Sequence, residues 1–167
     1  MPLLREDVIH IAVRQHSRLN DWQLIAGQYP NGSDDELPPL NIVDPHLACD
    51  DSPDHRRHSK NKIVPDLVSC KGNVMLITEM KPGYSPQDES KLEHLIFAER
   101  PRLITALKAL LASRRIQLRV PLEELTFVPA LGFSESAPYK KNARFCYFKV
   151  KNLKEVLFEG NALVPAL

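Results

Sequence analysis

The stretch IVPDLVSCKGNVMLITEMKPGYSPQDESKL, residues 63–92, decides how this chain is read. Two short apolar runs, 63–69 and 74–80, are separated by Lys71-Gly72-Asn73, and apolar runs broken by a glycine-containing turn signal a β-hairpin. Pairing Cys70 with Asn73 across a two-residue turn places Asp66 on one strand and Glu79 and Lys81 on the other, all on one face, because side chains alternate with a period of two. Asp66 and Glu79 then become diagonal neighbours within reach of a common ion. Two adjacent carboxylates repel, and a divalent cation between them removes that repulsion. Lys81 points the same way and can meet an anionic substrate.

Both faces of the hairpin are apolar: Val64, Val68, Met75 and Ile77 on the carboxylate side, Ile63, Leu67, Val74 and Leu76 on the other. Such a hairpin belongs at the centre of a sheet covered on both sides. Charged residues at the end of a buried strand pair are costly unless paired or metal-bound. The plainer alternative is a surface ion pair between Glu79 and Lys81, with Asp66 as a turn residue.

Pro65-Asp66, a short gap, then Glu79-Met80-Lys81 at a strand end resembles the PD-(D/E)XK nuclease superfamily. The motif is short and tolerant; its context adds the apolar hairpin and a following helix carrying Asp88, Lys91 and Leu92. The resemblance implies a restriction endonuclease-like α/β fold, a mixed sheet flanked by helices. It also implies that Asp66 and Glu79 hold Mg2+ or Mn2+, that the carbonyl of Met80 completes the site, and that Lys81 positions or activates water. A residue on the first helix completes the metal site in many members. Glu6 suits the resolvase and restriction-enzyme pattern, whereas His10, or His16, suits the cap-snatching one.

With 167 residues the chain supports one domain with a real core. Its formal net charge is only +1, so a nucleic-acid partner must be met by a local patch. The three cysteines, Cys49, Cys70 and Cys146, argue against a disulfide framework and fit a reducing compartment. The start lacks the layout of a signal peptide, and no apolar run is long enough to span a bilayer. The expectation is a soluble, intracellular protein with no membrane partner.

Leu4, Val8, Ile9, Ile11, Ala12 and Val13 recur at helical spacing and predict a helix over 2–17, with Glu6 and His10 one turn apart. Residues 21–27 read as a strand beginning near Trp22. From 29 to 62 prolines and aspartates predominate, which predicts a long loop insertion with a short strand at 40–43. Its end, His55-Arg56-Arg57-His58-Ser59-Lys60-Asn61-Lys62, is the most basic run of the chain. Arg56, Arg57, Lys60 and Lys62 are candidate phosphate contacts; a merely solvated charge run is the alternative. Cys49, His55 and His58 match no structural zinc spacing.

Ser85-Pro86 predicts a helix start, with Asp88 and Glu89 in its first turn, and Pro101 opens a second helix with a stripe of Leu103, Leu107, Leu110 and Leu111. That stripe suits packing on the sheet, or a dimer seam. Strands are predicted at 125–133, where Pro129 suggests a bulge or edge, and at 144–150, and Asn152 is read as the cap of a closing helix ending at Gly160. Lys140 and Lys141 lead a basic C-terminal part in which Tyr139, Tyr147 and Phe148 are interleaved; the two lysines are further candidate nucleic-acid contacts, with packing in the core as the plainer role of the aromatic residues. The resulting expectation is a metal-dependent endonuclease acting on phosphodiester bonds, with DNA favoured. RNA cleavage of the cap-snatching kind and a nuclease-like binding module without catalysis are the alternatives. Cutting both strands of a duplex calls for a homodimer or a partner subunit.

Overall fold

The wide apolar stripe near the N-terminus folds as α1 (Glu6–Leu19), which buries Ile9, Ala12 and Val13. The helix begins at Glu6 rather than at Pro2, and its first turn carries Glu6 and Asp7, where acidic groups complement the helix dipole. The computed structural model describes residues 2–32, 34, 36–43 and 62–164. After a reversal at Asp21, which takes a left-handed φ of 65°, the chain enters β1 (Gln23–Gly27). The strand predicted at 40–43 is the short β2 (Ile42–Val43), which pairs with β3 (Lys62–Ile63) in a separate two-stranded ribbon. Ile63 thus pairs with Ile42 instead of extending the hairpin.

The hairpin is formed by β4 (Leu67–Lys71) and β5 (Val74–Met80). Its register differs by one residue on each strand from the expected one: Lys71 pairs with Val74 and Leu67 with Thr78. Gly72, at φ 59°, occupies the first of two turn positions, a left-handed geometry that glycine adopts without steric penalty. The change preserves parity, so the side chains from Leu67 to Glu79 keep their faces, whereas Ile63, outside the hairpin, packs in the core of Val68 rather than that of Leu67. The shift also turns Asp66 and Glu79 from diagonal neighbours into opposite ones.

Ser85 caps α2 (Pro86–Glu93), its hydroxyl accepting the N–H of Asp88. A π-helical turn, His94–Ala98, links it to α3 (Arg100–Arg114), whose Leu103 and Leu107 bury against the sheet. The chain then adds β6 (Thr126–Ser134) parallel to β5, β7 (Cys146–Asn152) parallel to β6, and β8 (Glu155–Glu159) antiparallel to β7. The main sheet is mixed and six-stranded, in the order β1-β4-β5-β6-β7-β8. Pro129 sits inside β6, but β7 begins opposite Ala130, so on that side Pro129 is at a local edge.

The predicted closing helix is absent, and residues 155–159 are β8. Asn152 Oδ1 does accept two following amides, of Lys154 at 2.9 Å and Glu155 at 3.0 Å, but in a hairpin turn rather than at a helix start. An Asn side chain supports both structures by the same bonds. The alternation Val156, Phe158 decides between them, because both pack with Trp22 and Phe148 on the α1 face.

One core lies between the sheet and α1, with Leu67, Leu76, Ala130 and Phe148. The other lies beneath α2 and α3, with Val68, Ile77, Leu131 and Tyr147. The two cores bury every residue of β5. A Cβ on Gly132 would stand 3.0 Å from Met80 Cγ and 3.4 Å from Val13 Cγ2, so this glycine lets α1 approach the sheet closely. Leu4 N–H donates to Ser134 Oγ at 2.8 Å, and Ser134 N–H donates to the Pro82 carbonyl at 3.0 Å. The start of α1 is thereby tied to the edge where β5 and β6 end. Among the described residues, no helix is long and apolar enough to cross a membrane.

Candidate functional site

At that edge Asp66 directly precedes β4, opposite Glu79 on β5. Asp66 Oδ2 accepts the N–H of Met80 at 2.8 Å, so Met80 joins the site through its amide. Glu79 is only 4% exposed, and its ion-pair partner is Lys91 of α2, with Nζ 2.8 Å from Oε1. The Asp66 and Glu79 carboxyls face one another across the strand pair and repel when both are charged. Burial, and then the charge of Glu79, pushes Asp66 well above the ordinary carboxylate range. Burial also raises Glu79, against the opposing pull of Lys91. Asp88, one turn before Lys91, is buried, and its Oδ2 has no hydrogen-bond partner.

The first helix contributes both Glu6 and His10, which the sequence offers as alternatives. Glu6, His10 and Asp66 each supply a ligand atom, and these atoms all lie within 4.8 Å of one another. His10 is fully buried, its Nε2 is 3.9 Å from Asp66 Oδ2, and neither ring nitrogen has a well-formed hydrogen bond. Burial, reinforced by Arg14 and Lys81, lowers its pKa to about 4. The imidazole is therefore neutral at pH 7, the form that ligates metals. Two carboxylates and an orphaned neutral imidazole make a donor set suited to a divalent ion.

Lys81 departs from the expected geometry. Its amine lies 3.6 Å from Glu6 Oε1, half-exposed at the mouth of the cluster, and among the described residues Glu79 is ion-paired to Lys91 alone. Beyond Met80 the backbone stays bonded to β6 through Lys81 N–H and the Gly132 carbonyl, 3.0 Å, while the side chain reaches the α1 side. Asp66, Glu79 and Lys81 do gather at one edge. Lys81 serves the Glu6 end of the group, and Lys91 takes the place beside Glu79. Lys91 was legible only as a residue near the site; its partner was not.

Sequence reasoning missed Arg14 entirely. Its guanidinium, 1% exposed, meets Asp34 Oδ2 at 2.5 Å and lies 4.0 Å from the ring centroid of Tyr29, which itself packs near His10. Against the effect of burial, Arg14 and the amides of Leu37 and Glu36 hold Asp34 below its ordinary pKa. The segment after β1 is thus anchored over His10. An arginine one turn after a histidine carries no special signal in sequence.

Of the expected phosphate contacts, Arg56, Arg57 and Lys60 lie outside the described residues, as do Cys49, His55 and His58. Lys62 is exposed on β3 and Lys140 is exposed in the β6–β7 loop. Lys141 is committed to Glu159 at 2.9 Å, alongside Lys149 at 2.8 Å and the Tyr139 hydroxyl at 2.9 Å. Lys149 and Lys141 together pull Glu159 down to about 2. No family model, curated protein or solved structure matches the chain.

Proposed function

We propose that this chain is a divalent-metal-dependent nuclease of the PD-(D/E)XK type with a restriction endonuclease-like fold, hydrolysing phosphodiester bonds, with DNA the favoured substrate. The observation that carries the reading is the meeting of Glu6, His10 and Asp66 from two distant segments, with Glu79 behind Asp66 and Lys81 at the mouth. The element order and the mixed sheet with helices on both faces agree with it. Clustered buried carboxylates destabilise a fold, and a cation gives them a use.

Glu6, His10, Asp66 and Glu79, with the Met80 carbonyl, would hold Mg2+ or Mn2+. Bound there, the ion supplies Lewis acidity and lowers the pKa of water. Lys81, half-exposed beside Glu6, binds the phosphate and offsets charge developing on its oxygens. The Met80 N–H fixes the Asp66 carboxylate, and Lys91 fixes Glu79. The protein acts inside the cell, as a homodimer or with a partner where both strands of a duplex are cut.

RNA cleavage of the cap-snatching kind is the second reading, favoured by the burial of His10 within the cluster. The test is cleavage of plasmid, linear duplex, single-stranded DNA, branched DNA and RNA with Mg2+, Mn2+ or chelator, by wild type, Lys81→Ala, Glu6→Ala and His10→Ala. Metal-dependent cutting lost in Lys81→Ala is the expected result. Preference for RNA, with Glu6→Ala active and His10→Ala inactive, selects the second reading. A folded wild type that cuts nothing and binds no metal refutes both and leaves a binding module.

A further inference from the structure

The β7–β8 hairpin projects from the sheet at the same edge as the carboxylate cluster. The last pair between β6 and β7 is Ser134 with Val150, so residues 151–155 overhang β6. Lys151, Asn152, Leu153, Lys154 and Glu155 are all exposed. Leu153 at the tip is 45% exposed and Leu157, on the return strand, 57%. Lys154 makes no ion pair among the described residues, and the Lys151–Glu155 pair is loose, at 3.7 Å between two exposed side chains. Such pairs contribute little and yield readily to a phosphate. The neighbouring Lys149 is already taken by Glu159. Between the tip and α1 opens a cleft of about 420 Å³, lined by His16, Glu135, Lys151 and Lys154 among others.

We infer that this hairpin is an arm that grips duplex nucleic acid beside the cluster, Lys151 and Lys154 meeting phosphates and Leu153 entering the minor groove. The inference rests on the nuclease reading for its substrate class. β7 lies two strands from β5, about 10 Å at ordinary strand spacing. That span equals about three base-pair steps of a duplex. A phosphate at Lys81 and a backbone under the arm thus belong to one continuous double helix. One unpaired and one loosely paired ammonium group around an exposed aliphatic tip suit a groove bordered by phosphates, where apolar wedges part base steps. Single strands are held on aromatic platforms, and this tip presents leucine instead.

The test uses the full chain as wild type, Lys151→Glu/Lys154→Glu, its neutral counterpart Lys151→Gln/Lys154→Gln, and Leu153→Ser. Binding to a labelled duplex is measured in chelator over about 50–200 mM salt. Hydrolysis of bis-nitrophenyl phosphate, too small to reach the arm, is measured with Mn2+. The charge reversal is expected to weaken duplex binding at least tenfold, and the neutral pair to lower the salt slope by about 2, one for each phosphate that is no longer neutralised. Leu153→Ser is expected to reduce DNA bending, read by energy transfer between labelled ends. Hydrolysis of the small ester should stay within about twofold throughout, since no catalytic group is touched. Unchanged affinity and slope in both lysine variants, or a wild type that binds no duplex, overturns the arm. Duplex binding that falls as expected, with no metal-dependent hydrolysis of any substrate, upholds the arm and removes the nuclease.

Discussion

Replacing Asp66 by Asn should stabilise the metal-free protein while abolishing the proposed metal-dependent cleavage. Asp66 and Glu79 lie together, and among the described residues Lys91 is their one ion-paired counter-charge. At pH 7 the repulsion cannot exceed the free energy of protonating one carboxyl, because the protein can always take up that proton. From an ordinary aspartate pKa near 4, three units at about 1.4 kcal/mol each set a ceiling of about 4 kcal/mol. Lys91 and the Met80 N–H offset part of it, leaving roughly 1–3 kcal/mol to be gained on removing the charge. Asn keeps an oxygen to accept the Met80 N–H. For a chain of this size a gain of 2 kcal/mol raises Tm by roughly 4–8 °C.

The pH dependence has a definite sign. Both carboxyls sit above their ordinary values in the folded state, so the folded protein binds more protons than the unfolded chain in the range above those ordinary values. Stability without metal therefore falls as pH rises from the ordinary carboxylate range through neutrality, and Asp66→Asn flattens that fall. Mn2+ at 100 times its Kd should restore about 2.7 kcal/mol to the wild type and nothing to the variant. Thermal melts at pH 5 and pH 7.5, with chelator and with Mn2+, measure all of this. A variant that melts lower than wild type in chelator at pH 7.5, with an unchanged pH slope, refutes the idea that these carboxylates oppose folding.

Arg14→Met should cost about 3–5 kcal/mol in urea unfolding, because it strands the Asp34 carboxylate, whose side chain is 4% exposed, and adding Asp34→Asn should recover most of the loss. Gly132→Ala should cost about 1–3 kcal/mol, since the new methyl meets Met80 and Val13. By pushing α1 from the sheet it should also weaken Mn2+ binding by titration calorimetry several-fold, because Glu6 and His10 ride on that helix.

The hairpin at 67–80, its doubly apolar faces and the proximity of Asp66 and Glu79 were legible because they depend on local alternation and one turn, and a register shift that preserves parity leaves them intact. The helical residues Glu6 and His10 were legible as candidates from their spacing, though not as members of one cluster. The last element was misread at Asn152, whose side chain supports a helix start and a hairpin turn through the same bonds; only packing of Val156 and Phe158 separates them.

Short-range periodicity in the residue order sets the central hairpin, the amphipathic first helix and a pair of carboxylates at a strand end. Tertiary structure alone decided which charges meet. Lys91 rather than Lys81 lies beside Glu79, His10 is desolvated beneath Tyr29, and Arg14 is buried on Asp34. The physical reason is that a long side chain's partner depends on which elements pack around it, and strands and helices far apart along the chain supply those surroundings only after the sheet has closed around β5.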